Sequence, residues 1–356
     1  MYSDSDLQLA VDARVLTPEA ATAFRAHMAA SNTAPAADEE HFRLITGFND
    51  IFVGIATVIL LVAVGWIGES VHEALAGALV ALTAWGLAEY FTRRRRMALP
   101  SIILVLAFAG GVFGTMAGFL LRYGESWFGN QPADWIPGTL LAIMGLVTAL
   151  ATWFHWRRFM VPITVAAGAA ALAGTAIALV LAATGFDRPE ENLVLALVLT
   201  AGVGIFALAM WWDRSDRVRQ TRRSDVAFWL HLLAAPMIAH PIFALLGVTD
   251  GNDIASGAAV AVVGIYILFG MVALAIDRRA LLVSALAYVL FALTQLFREF
   301  GAVELNVALT AFVIGSALLL LSAFWQNARA VVVGMLPGSL AAQLPATGAV
   351  SPQPAS

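Results

Sequence analysis

The 356-residue chain contains no cysteine and no lysine, and only 12% of it is charged. Without cysteine there is no disulfide framework, no thiolate metal site and no cysteine nucleophile. All 20 basic residues are arginine, which together with the alanine-rich apolar runs points to a bacterial gene of high GC content. The shortage of charge carries the most weight, because a soluble globule of this length needs roughly twice as many Asp, Glu, Lys and Arg residues to cover its surface. With 60% hydrophobic residues and a mean hydropathy of +0.83, the remaining apolar area has to face lipid. The chain reads as a polytopic membrane protein, and disordered, coiled-coil and disulfide-rich classes are excluded.

Catalytic motifs are missing too. There is no His-Glu-x-x-His helix, no Gly-x-Ser-x-Gly turn, no P-loop and no paired-Asp motif, the devices by which proteases, phosphotransferases and nucleotide hydrolases do their chemistry. The longest outer loop, between Arg122 and Ile136, has about 15 residues, too few for a catalytic domain. No enzyme, cofactor or metal is expected.

What is there is a series of apolar runs. Crossing about 30 Å of hydrocarbon takes about 20 residues at 1.5 Å each, and the sequence holds ten such runs, near 50–68, 71–91, 99–121, 137–154, 161–185, 192–212, 226–248, 254–276, 280–298 and 305–325. The connections at Glu69-Ser70 and Asp277-Arg278-Arg279 are so short that a single longer helix or a re-entrant pair is an alternative at each. Placing the N-terminus inside puts 14 arginines in alternate loops and after the last span: Arg93 to Arg96, Arg157, Arg158, Arg214, Arg217, Arg219, Arg222, Arg223, Arg278, Arg279 and Arg329. The other loops hold 3, Arg122, Arg188 and Arg298, and are otherwise acidic. By the positive-inside rule this predicts an all-α bundle of ten spans with both termini cytoplasmic, in a bacterial inner membrane.

The even-numbered spans end alike, in Leu87-Ala88-Glu89-Tyr90-Phe91-Thr92-Arg93, Leu150-Ala151-Thr152-Trp153-Phe154, Leu208-Ala209-Met210-Trp211-Trp212-Asp213-Arg214, Leu274-Ala275-Ile276-Asp277-Arg278 and Leu321-Ser322-Ala323-Phe324-Trp325. The array reads as five hairpins, arising either by duplication or because each helix leaving the cytoplasmic face needs an interfacial aromatic followed by Arg. Ahead of the spans, residues 1–30 form a cytoplasmic helix pair. One helix runs from Ser5 to Ala13, and the other opens at the Thr17-Pro18-Glu19 cap. Leu7, Leu9, Val11, Val15, Leu16, Phe24 and Met28 are available to pack them together. The first residues are too acidic and polar for a signal peptide, so the first span acts as an uncleaved anchor. Residues 31–49 are linker and pre-membrane segment, 50–325 the bundle, 326–337 an interfacial segment stopped by Pro337, and 338–356 an uncharged, proline-containing, disordered tail.

The segment LTPEAATAFRAHM, the acidic linker and FRLITGFNDIFVGIATVILLVAVGWIG, with the closing LLLLSAFWQNARAVVVGMLPGSLAAQLP, resemble a family of uncharacterised bacterial multi-pass membrane proteins known as a domain of unknown function. The resemblance is carried by the first 70 or so residues. It implies this architecture, and it transfers no activity and no functional residue.

Polar groups inside a bilayer cost about 2.5–3.5 kcal/mol on insertion scales, which makes them the default functional candidates. The seventh span carries His231, Pro236, His240 and Pro241. Each proline strips a carbonyl of its helical donor, Leu232 for Pro236 and Met237 for Pro241, as in the broken helices of transporters. Nine residues apart, the two histidines are half a turn out of phase and do not share a ligand unless the prolines rotate the segment. His240 falls about 4 to 5 Å outward of the span's midpoint and is the first choice for a site residue. In the ninth span Gln295, Arg298 and Glu299 lie on one face, with Asn306 close by at the start of the tenth, a candidate polar pocket at the outer mouth. The alternatives are a kinked packing helix for the seventh span and a snorkelling Arg298 beside a solvated Glu299 for the ninth. Glu89 is expected to pair with Arg93, and Gly110, Gly114 and Gly118 to form a ridge for close helix approach. Basic Arg214 to Arg223 lies beside the membrane, so its expected partner is anionic lipid and not nucleic acid. The expected activity is transport of a small molecule or lipid, and the alternative is a non-catalytic scaffold or sensor acting through the N-terminal helices.

Overall fold

The computed structural model describes residues 7, 10–13, 15–31, 48–129, 133–185, 190–217, 219, 221–248, 256–299 and 306–345. All the elements among them are helical. The chain divides into two compact units, Met1–Phe42 and Arg43–Ser356. In the first, residues 7 and 10–12 are helical and α1 spans Pro18–Ser31. The Thr17 hydroxyl caps α1 by accepting from Ala20 N–H at 3.2 Å. Ala21 is buried, while Val15, Leu16 and Phe24 are exposed, so those three do not pack as expected. Leu9 and the Met28 side chain lie outside the described residues, as does the linker 32–47.

The second unit is built from α2 (Phe48–Val71), α3 (Glu73–Phe91), α4 (Ala98–Phe128), α5 (Trp135–Phe159), α6 (Ile163–Thr184), α7 (Glu191–Arg214), α8 (Arg222–Leu245), α9 (Ser256–Ile276), α10 (Ala280–Glu299), α11 (Asn306–Ala323), α12 (Trp325–Gly334) and the short α13 (Gly338–Ala341). Among the described residues eight helices, α2 to α9, are long and apolar enough to cross a membrane. There are nine if α11 and α12, bent by 79° at their junction, count as one span. Ten were expected. The ninth expected span corresponds to α10, whose described apolar part is Ala280–Thr294, and the tenth to α11, which the bend separates from α12. Large apolar side chains stand exposed along these helices, among them Phe52, Leu82, Leu121, Leu146, Leu208 and Phe312, which fits a multi-pass membrane protein with a lipid-facing belt.

Helix pairing also differs from expectation. The most extensive packing joins α3 to α4, α5 to α6 and α7 to α8, and α9 also packs on α10. These four hairpins close through the arginine-rich turns and are offset by one helix from the expected ones, while α2 packs on α3 about as extensively as α9 on α10, as the first expected hairpin requires. α2 leans on α3 and α4, and α11 on α10. The offset has a local cause in each turn. Among the described residues, four other than glycine adopt a left-handed backbone, Arg96 at φ 53°, Met160 at 55°, Arg219 at 57° and Asp277 at 57°, and one lies in each turn. A left-handed residue reverses the chain within a few positions, so two helices are brought together immediately.

Small residues let the pairs close. A Cβ on Gly118 would lie 2.5 Å from the Ala74 nitrogen and one on Gly111 2.7 Å from that of Ala81, while Gly77 meets the Thr115 and Gly111 backbones. The ridge on α4 is thus Gly111, Gly114 and Gly118. Gly110 has open space beside it and is not part of the ridge. At the centre of the bundle α8 is the most enclosed candidate span, touching α6, α7 and α10. It runs unbroken from Arg222 to Leu245 through Pro236 and Pro241. The ordered chain also extends past Pro337, since α13 is helical, Leu344 is buried and Pro345 is buried. The expected disordered tail is therefore ordered over 338–345, and 346–356 lie outside the described residues.

Candidate functional site

A cluster of ionisable groups sits where the third and fourth hairpins turn. Asp213 leaves the last turn of α7, His231 projects from α8 and Arg278 follows the left-handed Asp277. All three side chains are at most 4% exposed. Asp213 Oδ2 accepts from His231 Nε2 at 3.0 Å. Arg278 donates from Nη2 to Asp213 Oδ1 at 2.8 Å and from Nε to Oδ2 at 3.4 Å, and Nη2 also reaches the Ser224 carbonyl at 3.0 Å. Phe206 meets the imidazole edge-on at 5.1 Å, and Arg278 stands 5.9 Å over the Phe228 ring. Since the carboxylate only accepts, Nε2 carries the proton, and neutral His231 presents Nδ1 as a bare lone pair. Among the described residues Nδ1 has no partner. One carboxylate and one guanidinium cancel, and a proton arriving at Nδ1 would add a second positive charge beside the one carboxylate, Asp213, that both basic side chains bond.

Next to it lies a second, partly exposed network. Asp277 accepts from Arg219 Nη1 at 2.8 Å and from Trp325 Nε1 at 2.8 Å, and Arg329 Nε is 3.7 Å from Oδ1. Arg219 also holds the Ile276 carbonyl at 3.0 Å. The same arginine-rich face grips residues 343–345: Arg214 donates to Gln343 Oε1 at 2.9 Å, Arg217 to the Leu344 carbonyl at 3.0 Å and Arg329 to the Pro345 carbonyl at 2.7 Å. Consecutive residues Asp277 and Arg278 thus join the C-terminal segment to the buried cluster.

The residues singled out from sequence are distributed differently. His240 is exposed and pairs through Nδ1 with the Tyr288 hydroxyl of α10 at 2.7 Å. His231, ranked below it, is the buried one. The two address different neighbours, α10 and α7, as their phase requires. Pro241 is buried and Pro236 exposed. The side chains of Gln295, Arg298, Glu299 and Asn306 lie outside the described residues, although their helices α10 and α11 pack together. Glu89 pairs with Arg93 at 3.2 Å as expected, and also with Arg158 of the next hairpin at 2.7 Å and 2.9 Å.

Asp213 and Arg278 were missed because a charge at the end of an apolar run is ordinarily a solvated loop charge. A signal was present in the repeated helix ends. Five residues beyond each leading Leu of Leu87-Ala88, Leu150-Ala151 and Leu208-Ala209 stand Thr92, His155 and Asp213, all buried, and each is followed early in the next helix by a buried hydroxyl, Ser101, Thr164 or Ser224. In these three hairpins a buried polar side chain stands on each helix beside the turn, and in the third one of the two is an acid. Between α4 and α5, beside the connection from Gly129 to Trp135 and away from the arginine-rich turns, a cleft of about 570 Å³ is lined by Leu120, Phe128, Ile136, Leu141 and Met144 with Glu125 among them. Compared with protein-family models, with curated proteins and with solved structures, the chain finds no match, so its activity has to be read from its own residues.

Proposed function

We propose that the chain is a transporter of a small solute or lipid in a bacterial inner membrane, driven by protons bound at the Asp213–His231–Arg278 cluster. The observation that carries this reading is a buried carboxylate shared by two basic groups, on the central proline-containing helix and at the turns of two hairpins. Asp213 can neutralise one full positive charge. When His231 is neutral that charge is Arg278, and when His231 is protonated the two cations compete for one carboxylate. Protonation therefore loosens Arg278 and, with it, the turn between α9 and α10. A two-state element biased by a proton is what coupled transport requires. The apolar cleft between α4 and α5 suits a substrate with a hydrophobic body. Chemistry on that substrate forms no part of this reading, which is of a non-enzyme.

Proteoliposomes with a trapped pH-sensitive dye provide the test. A panel of amino acids, organic acids, sugars and amphipathic amines is added in turn, and at least one member should move protons in wild type. Asp213→Asn and His231→Gln should abolish that movement. Proton movement that survives both substitutions would discard the reading. A scaffold or sensor remains the second reading, favoured by the separate compactness of residues 1–42. Deleting residues 1–40 should leave proton movement intact if the bundle alone transports, and should abolish the cellular phenotype with normal insertion if those helices relay a signal.

A further inference from the structure

The 79° bend between α11 and α12 sets α12 nearly perpendicular to α11, so with α11 across the membrane α12 would run along its surface. At 100° per residue, α12 then presents three sectors. Phe324, Val331 and Met335 fall within about 40° of one another, and all are exposed. Trp325, Val332 and Arg329 occupy the next sector and face the bundle, Trp325 and Arg329 being buried and α12 packing on α9. Gln326, Asn327, Ala330 and Gly334 form a third, exposed sector of polar and small residues. An exposed apolar stripe, a bundle-facing stripe and a polar stripe on one short helix match a position with protein, lipid and water on three sides. The apolar stripe is also continuous with lipid-facing α11, whose exposed Phe312, Leu319 and Leu320 lead into Phe324.

We propose that the stripe Phe324, Val331 and Met335 is seated in the lipid interface beside the arginine-rich turns, and that this seating clamps the Asp277–Arg278 turn. The occupant is the lipid of the surrounding bilayer. The clamp is read from the opposite sector: Trp325 bonds the Asp277 carboxylate, the Arg279 guanidinium lies 4.6 Å over the Trp325 ring, and Arg329 both approaches Asp277 and holds the Pro345 carbonyl. A helix pressed into the interface by its apolar side holds these contacts closed, while one lifted from it releases them. The turn so released is the one that delivers Arg278 to Asp213, so the state of the lipid surface reaches the buried cluster. This inference stands independently of the transport reading.

The Cys-free chain allows a direct test in vesicles of phosphatidylethanolamine and phosphatidylglycerol. Single variants Val331→Cys, Met335→Cys and Asn327→Cys carry a fluorophore, and nitroxide-labelled lipids act as quenchers. Lipid quenching should be several-fold stronger at positions 331 and 335 than at 327, with a water-soluble quencher giving the reverse order. Equal quenching at all three overturns the seat. For the clamp, hydrogen exchange is followed at the Arg278 amide, which bonds the Ala273 carbonyl at 2.9 Å. Met335→Glu should speed it about tenfold, with α3 and α4 unchanged, and Asn327→Glu should not. Met335→Ser, which removes apolar surface without adding charge, should give a smaller change of the same sign. Unchanged exchange at Arg278 in both Met335 variants overturns the clamp.

Discussion

Asp213 has one negative charge and two basic neighbours, and that imbalance sets what substitution there should do. Removing either member of a buried ion pair strands the other, at a cost of about 3–5 kcal/mol. Asp213→Ala and Arg278→Ala should each lower the unfolding temperature of the detergent-solubilised protein strongly. The pair Asp213→Leu with Arg278→Met removes both charges and should recover most of the loss. A double variant as unstable as the sum of the two singles would show that the groups do not act on each other. The preference for His240 over His231 came from depth along the seventh span. Depth along a helix says how far a group lies from the bilayer centre but nothing of which face it occupies. Burial of His231 follows from its phase relative to α7, and that phase becomes visible only once α7 and α8 are known to be partners.

Helices themselves were legible, because apolar runs of the right length declare themselves: α3 at Glu73–Phe91 and α9 at Ser256–Ile276 lie within two residues of the expected 71–91 and 254–276. Pairing was not. Similar ends recur at 91, 154 and 212 whichever neighbour a helix packs against, and hydropathy is blind to the left-handed residue that folds the chain back. Two predictions follow at this scale from backbone geometry. Gly118→Val places a side chain against the α3 backbone and should cost about 1–3 kcal/mol or more of stability, while Gly110→Val should be nearly silent. Both are read by thermal unfolding of the purified protein, and equal effects would mean that the α3–α4 contact is looser than described. Met160 is a large residue in a left-handed conformation, a strain of about 1–2 kcal/mol that glycine does not bear. Met160→Gly should raise the unfolding temperature. Asp277→Gly should lower it, since Asp277 trades the same relief for the loss of its bonds to Arg219 and Trp325.

For the whole molecule, the arginine bias assigns the turns of the four hairpins to one side, and they coincide with the left-handed residues and the ionic networks. Cysteines introduced at Trp127 and Glu190 should react with an impermeant maleimide on intact cells, and one at Arg94 only after lysis. Reaction of all three before lysis would break the alternation on which this orientation rests. Reaction at Trp127 and Glu190 alone would place the buried cluster and the C-terminal clamp on the cytoplasmic side, where lipid composition and proton concentration are under the cell's control.

Closer packing within the four hairpins than between them has a further consequence for biogenesis. Each pair of helices emerges from the ribosome joined by a turn that is already complete, so it can leave the translocon as a closed unit before the next pair is made. Covalent continuity should then matter only inside a unit. Cutting the gene between Thr184 and Glu191 and co-expressing the two fragments should give a complex that purifies intact, held by the packing of α6 on α7 and α8. A cut after Asp277, which separates α9 from α10 and severs the chain beside Arg278, should not reassemble. Efficient recovery from that second cut would mean that the hairpins are not units of assembly.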